Sequence, residues 1–307
     1  MWRIILQAVM MVAGVVLLTA VPMALVRLLF QSFNPREFLG AGSLNIFSTV
    51  TVLAATLFSL WLAGRLLDRH PMADFGFHFS RRWWRDLLFG LGLGAALMAG
   101  IFAVELAAGW ISIRGAFETA QPDQSFALAI ISPILIFLSV GIYEECLSRG
   151  YWLHNLSEGL NFSFLGPKVA ILLAWGISST IFGAAHMGNP NATAVSTVSL
   201  VVAGLFLGLG YILTGELAIP IGLHISWNFF QGNVFGFPVS GTDLRGGTFI
   251  AIQQGGPELW TGGAFGPEAG LMGIAAILVG SAATLWWVRR HDGQLALTTK
   301  LARHPIR

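Results

Sequence analysis

Tyr143-Glu144-Glu145-Cys146-Leu147-Ser148-Arg149-Gly150 closes an apolar run that begins at Phe126. A run of that length and composition is suited to a bilayer, where two adjacent glutamates are expensive and need partners or a task. On a helix, Glu145 and Arg149 are four residues apart and share a face, so they can pair. Glu144 points about 100° away and lacks that partner. The asymmetry suggests one glutamate held in an ion pair and the other free to handle protons.

The rest of the chain supports a membrane setting. Of 307 residues, 55% are hydrophobic and 10% charged, and the mean hydropathy is +0.72. Those proportions exclude an ordinary soluble domain and predict an all-α, polytopic membrane protein. Eleven Trp and 23 Phe fit lipid-facing and interfacial surfaces. A net charge of +2 with no basic face argues against a nucleic-acid partner. The single cysteine, Cys146, excludes an intrachain disulfide and a cysteine-based metal site.

Hydropathy predicts about eight spans, near 4–26, 44–64, 87–110, 126–156, 168–186, 194–213, 217–235 and 268–288. The first reads as an uncleaved helix, because its apolar stretch is too long for a signal peptide. Gly204, Gly208 and Gly210 would let the sixth approach a neighbour closely. Trp83-Trp84 reads as an interfacial anchor, and the Gly-rich segment 236–267 as a connector too polar and broken to span. Three units follow: helices one to three in 1–125, a core in 126–235, and the connector, last helix and basic tail in 236–307.

Of the 17 Lys and Arg, 13 fall at the N-terminus, the 65–85 and 149–168 connectors and the tail. The remaining four, Arg27, Arg36, Arg114 and Arg245, fall on the opposite loops. The positive-inside rule then puts both termini in the cytoplasm. In this arrangement His186 ends its span on the outer side, while Glu144 sits toward the inner end of the fourth. A shared site requires the fourth helix to run on past Trp152, moving Glu144 to mid-depth.

Two later stretches carry polar residues at helical spacing: Phe182-Gly183-Ala184-Ala185-His186 and His224-Ile225-Ser226-Trp227-Asn228. Each spacing of four keeps both members on one face. Peptide-bond hydrolysis needs an activated water, a stabilised oxyanion and a proton for the departing amine. Glu144 suits activation of water, and His186 suits orienting it or shuttling the proton. His224 and Asn228 could aim two donors at one developing negative charge. Glu145 and Arg149 would hold the helix geometry, with Phe182 as core or cavity wall.

In order, Glu-Glu-x-x-x-Arg, Phe-x-x-x-His and His-x-x-x-Asn resemble the motifs of the CAAX protease and bacteriocin-processing family of intramembrane proteases. That family includes the type II CAAX prenyl endopeptidases. The resemblance covers about 126–235 and implies an intramembrane endopeptidase with Glu144 and His186 as its first glutamate and first histidine. It implies membrane lipids and a membrane-anchored or lipidated peptide as partners, and a bacterial cytoplasmic membrane as the setting. Family members are often described as metalloproteases, so a zinc-dependent version using Glu144, His186 and His224 competes with a metal-free one. The metal-free reading is preferred: no His-Glu-x-x-His pattern is present, and Asn228 is a better amide donor than zinc ligand.

From a different class comes a non-catalytic scaffold or immunity protein that binds a peptide in the same cavity. Transport is less favoured, since the polar motifs do not recur as an internal repeat. Cys146, between acidic neighbours, reads as a packing residue. His70, His78, His154, His291 and His304 read as solvated, and Glu105 as cavity-lining or interfacial. Gly262–Gly270 resembles a Gly-rich stretch before the last helix of bacterial members, but it reads more simply as a flexible loop with Pro267 and Glu268 in the next helix's first turn.

Overall fold

The computed structural model describes residues 2–29, 35–121, 123–243 and 246–304; Arg245 of the charge argument lies outside them. It is a polytopic, all-α membrane protein. Helices α1 (Trp2–Leu29), α2 (Pro35–Ala63) and α3 (Arg81–Ala107) precede strand β1 (Ile111–Thr119). A helical column follows: α4 (Phe126–Ala129), α5 (Ile131–Glu145), a π-helical stretch over Cys146–Leu153, and α6 (His154–Gly159). Then come α7 (Gly166–Ala185), α8 (Ala194–Thr214), α9 (Ala218–Phe229), β2 (Gly247–Gln254), α10 (Glu258–Thr261) and α11 (Leu271–Asp292).

Among the described residues, seven helical segments are long and apolar enough to cross a membrane, including the whole column Phe126–Gly159. The expected span at 217–235 is instead the 12-residue α9, followed by a π turn over Phe230–Val234. Nearly every α9 side chain from Ala218 to Ser226 is buried, so α9 is a core element that has no hydrocarbon thickness to match. At the other extreme stands α1, whose most apolar window is only 6% buried and presents Ile5, Val9, Val12 and Val16 outward. In lipid the outer surface is as apolar as the core, so composition alone does not separate these two kinds of helix.

Glycines set the central packing. Gly90 and Gly94 of α3 lie against α9, and Gly222 of α9 lies against the Leu87 carbonyl of α3. A Cβ at any of the three would run into backbone atoms, which cannot swing aside. Gly204 and Gly208 of α8 let Ser179 and Trp175 of α7 approach in the same way.

Two expectations are corrected. The 236–267 segment carries β2, which pairs antiparallel with β1 from Ile111↔Gln254 to Thr119↔Gly247. Its Gly and Thr residues disguised a strand whose partner lies more than a hundred residues earlier. Trp83 is buried at 4% exposure, with its indole N–H donating to the Gly76 carbonyl at 2.9 Å. Only Trp84 keeps the outward position of an interfacial anchor.

Gly222→Leu is expected to abolish the folded, monodisperse state, because the new side chain meets the α3 backbone. Gly92→Ala, between Gly90 and Gly94 on α3 with nothing within 4 Å of the added methyl, should stay within about 1 kcal/mol of wild type and on the stabilising side. Thermal unfolding in detergent separates the two outcomes.

Candidate active site

The polar centre begins where α5 passes into the π-helical stretch. Arg149 Nη1 donates to Glu145 Oε1 at 2.9 Å, as the spacing of four requires. Both side chains are sealed from solvent, at 1% and 0% exposure. The same carboxylate oxygen accepts from His224 Nδ1 of α9 at 2.7 Å. Arg149 Nη2 donates to the Gly204 carbonyl of α8 at 2.9 Å, and its guanidinium lies 4.5 Å from the centre of the Phe182 ring on α7. One ion pair therefore ties the column to α7, α8 and α9. Glu145 does more than hold its own helix, since it also fixes which imidazole nitrogen of His224 faces away.

Glu144 points elsewhere. It lines a cavity of about 180 Å³ together with Phe182, His186, His224, Asn228 and Glu268. Its Oε1 accepts from the Tyr143 hydroxyl at 3.3 Å, while its buried Oε2 has no hydrogen-bond partner. That free oxygen lies 3.9 Å from His224 Nε2. His186 reaches the cavity because α7 ends at Ala185 and the chain turns through Asn189, whose amide donates to the Ser240 carbonyl at 2.9 Å. Its Nδ1 lies 2.8 Å from the Phe182 carbonyl, which can only accept, so the proton sits on Nδ1 and the Nε2 lone pair is left free. The depth mismatch between Glu144 and His186 is thus absent, and five motif residues, Glu144, Phe182, His186, His224 and Asn228, line one cavity.

One cavity group escaped the sequence reading. Glu268 is buried rather than placed on a flexible helix start, and it belongs to the short 3-10 turn Pro267–Ala269. It accepts from the Ser240 backbone N–H at 2.6 Å, from the Ser240 hydroxyl at 3.1 Å and from the Gln231 amide. Burial pushes its carboxyl up to about 7, against the lowering effect of those hydrogen bonds. The approach requires Gly266, whose φ of 119° is open to glycine and whose Cα faces the Pro238 carbonyl. A Pro-Glu pair at a helix start gives no sign of burial, so its one sequence signal was the glycines around it.

Residues 126–230, about a third of the chain, match the family model described as type II CAAX prenyl endopeptidase, Rce1-like. This region is similar to the Rce1-like CAAX prenyl endopeptidases. No curated protein and no solved structure gives a match. The matched segment runs from α4 to the end of α9 and so contains Glu144, Glu145, Arg149, Phe182, His186, His224 and Asn228. Glu268 lies beyond it.

The zinc alternative for this Rce1-like site can be weighed on its donors. His224 Nδ1 is committed to Glu145, and His186 Nδ1 to a carbonyl. Among the described residues, the group of three whose donor atoms lie within 4.8 Å of one another is elsewhere, and does not include Glu144, His186 or His224. With each Nδ1 so engaged, Nε2 is the imidazole nitrogen that either histidine can turn to the cavity.

Arg149→Met leaves Glu145 buried beside a single partner and is expected to cost about 3–5 kcal/mol. The double variant Glu145→Gln/Arg149→Met should cost clearly less than the two single changes added together. Glu268 has a folded-state value above its ordinary 4.5, so the folded form holds the proton more tightly. Its contribution to stability is complete below about pH 4.5 and is lost as pH rises through about 7. Melting temperatures at pH 5 and pH 8 should therefore differ more in wild type than in Glu268→Gln.

Proposed function

We propose that the protein is an intramembrane endopeptidase of the CAAX-protease type that hydrolyses a peptide bond in membrane-associated substrates without a catalytic metal. The observation that carries this reading is the division between the two glutamates. Glu145 lies outside the cavity lining, with its Oε1 bound to both Arg149 and His224, whereas Glu144 lines the cavity and keeps a buried, unpartnered oxygen there. A carboxylate with a free oxygen in a sheltered space is a suitable base for one water molecule. His186, with its Nε2 lone pair available, is suited to orient that water and to relay its proton.

In this reading the water oxygen forms a bond to the scissile carbonyl carbon as its proton passes to Glu144. The carbonyl oxygen takes up the negative charge and is met by the Asn228 amide and by His224 Nε2. Because His224 Nδ1–H already donates to Glu145, donation from Nε2 requires the imidazolium, which would stand between the Glu145 and Glu144 carboxylates. The proton held by Glu144 then moves to the amine nitrogen as the carbon–nitrogen bond breaks. Positioning and charge stabilisation account for the rate, with general acid–base work contributing about 10²–10⁴-fold.

The substrate is proposed to be a membrane-anchored or lipidated peptide, since the cavity walls are supplied by Phe137, Val140, Phe182 and Phe206 between apolar helices. A panel of fluorogenic membrane peptides, with and without a prenylated cysteine, tests the proposal on purified protein. Glu144→Gln and His186→Ala are each expected to lower the rate at least about 100-fold while the melting temperature holds. A strong chelator should leave the wild-type rate within about twofold. Cleavage surviving both substitutions, or loss in chelator that added zinc restores, would sink this mechanism. A peptide-binding scaffold would instead bind the same peptides equally well as wild type and Glu144→Gln, with no cleavage by either.

A further inference from the structure

A second cluster of ionisable side chains lies away from the cavity, and we propose that it binds a divalent transition metal, zinc foremost. His70 comes from the connector after α2, Glu158 from α6 and His304 from the C-terminal tail. One donor atom from each lies within 4.8 Å of the other two. Glu158 is the hub: His70 Nε2 is 2.8 Å from its Oε1, and His304 Nδ1 is 3.2 Å from its Oε2. His154, one turn earlier on the same helix, brings Nε2 to 3.5 Å from Glu158 Oε1. Only 3% exposed, it has no hydrogen-bond partner at either ring nitrogen.

This contradicts the solvated reading of the histidines. His70 and His154 are buried, because the connector and the tail fold back against the end of the column. His304 is half-exposed, while His78 pairs with Glu216 at 2.7 Å and His291 lies on the surface. A buried nitrogen without a partner is costly, and an ion at the cluster could engage Nε2, the one that faces Glu158.

The donor chemistry suits zinc: imidazole nitrogens and a carboxylate are among its ordinary ligands. With bonds of about 2.0–2.1 Å, donors at a tetrahedral zinc stand about 3.3–3.4 Å apart. The distances of 2.8, 3.2 and 3.5 Å around Glu158 straddle that figure, so a shift of about half an ångström would admit the ion. The other nitrogen of His70, Nδ1, is 2.8 Å from Asp74 Oδ2. A carboxylate behind a ligating histidine fixes its tautomer and raises its basicity.

Charge points the same way. Arg3 lies 3.3 Å from buried Asp68 and 3.5 Å from Glu158. Beyond that pair, His70 stands between the Glu158 and Asp74 carboxylates, an arrangement that favours a cation at the cluster. The site would fasten the tail, whose Leu301 and Ala302 are already buried and whose Ala302 carbonyl accepts from Asn161 at 2.7 Å. The metal would thus be a clasp for three distant segments, with no part in the chemistry at Glu144.

The test is metal content, with no reading of proteolysis. Full-length protein is stripped with chelator, reloaded with zinc, desalted and analysed by elemental mass spectrometry. One zinc per chain is expected in wild type and in His186→Ala, falling at least tenfold in His70→Asn and in His304→Ala. His304 sits on the exposed tail, so its removal does not endanger the fold. Cobalt loading should give visible d–d bands that vanish in the same two variants, and stripping should speed protease cleavage of the tail. Wild type that retains no zinc would overturn the proposal and leave the cluster a protonated histidine network. Zinc that survives both cluster substitutions, or is lost in His186→Ala, would also overturn it.

Discussion

The structure depends on one carboxylate oxygen. Glu145 Oε1 accepts from a guanidinium of its own helical column and from an imidazole of α9, all three groups being buried. In a low-dielectric interior none of these charges can be left alone, so the elements that bear them are held in register. Arg149 extends the constraint to α8 through the Gly204 carbonyl and to α7 through the Phe182 ring. The adjacent Glu144, rotated about 100° by the helix, cannot join this arrangement and faces the cavity instead. The site and the scaffold are therefore two sides of one dipeptide.

The packing explains how so short a helix as α9 can carry half of the polar site. Hydrocarbon gives helices no hydrophobic reason to associate, so close approach and interhelical polar contacts must do so. Gly90, Gly94 and Gly222 let α3 and α9 meet backbone to backbone. That contact shelters α9 from lipid and frees it from the need to span. Its π-helical continuation over Phe230–Val234 carries buried Gln231, which reaches Glu268 on the far wall. Departures from regular helix thus occur where the chain has to aim side chains at the cavity.

Local spacing explains what was legible in the sequence. Glu145 and Arg149 pair because four residues make a helical turn, and the helices appear close to where the hydropathy puts them. The same logic placed His186, His224 and Asn228 on helix faces, and the structure gathers them with Glu144 around one space. What was not legible depends on contacts between distant segments. The β1–β2 pair, the burial of Trp83 and the meeting of His70, His154 and His304 leave no periodic trace. Glu268 was missed for a related reason: glycines that permit tight burial of backbone are the same residues that make a loop flexible.

The two polar centres answer the same physical problem in different ways. Around Glu145, a guanidinium and an imidazole both bond to one carboxylate oxygen, while the other, Oε2, is buried without a partner. In the cavity two further carboxyls, Glu144 and Glu268, share a small volume, and their environments differ sharply. Glu268 is fixed by three hydrogen bonds and holds its proton up to about pH 7, which removes one like charge from the neighbourhood of Glu144. Around Glu158 the carboxylate instead faces three imidazoles, from His70, His154 and His304. A carboxylate among imidazoles at that range can share a cation with them, proton or metal. Glu145 is held by groups of fixed place on its own column and on α9, whereas Glu158 gathers imidazoles from distant segments that a shared cation can bridge.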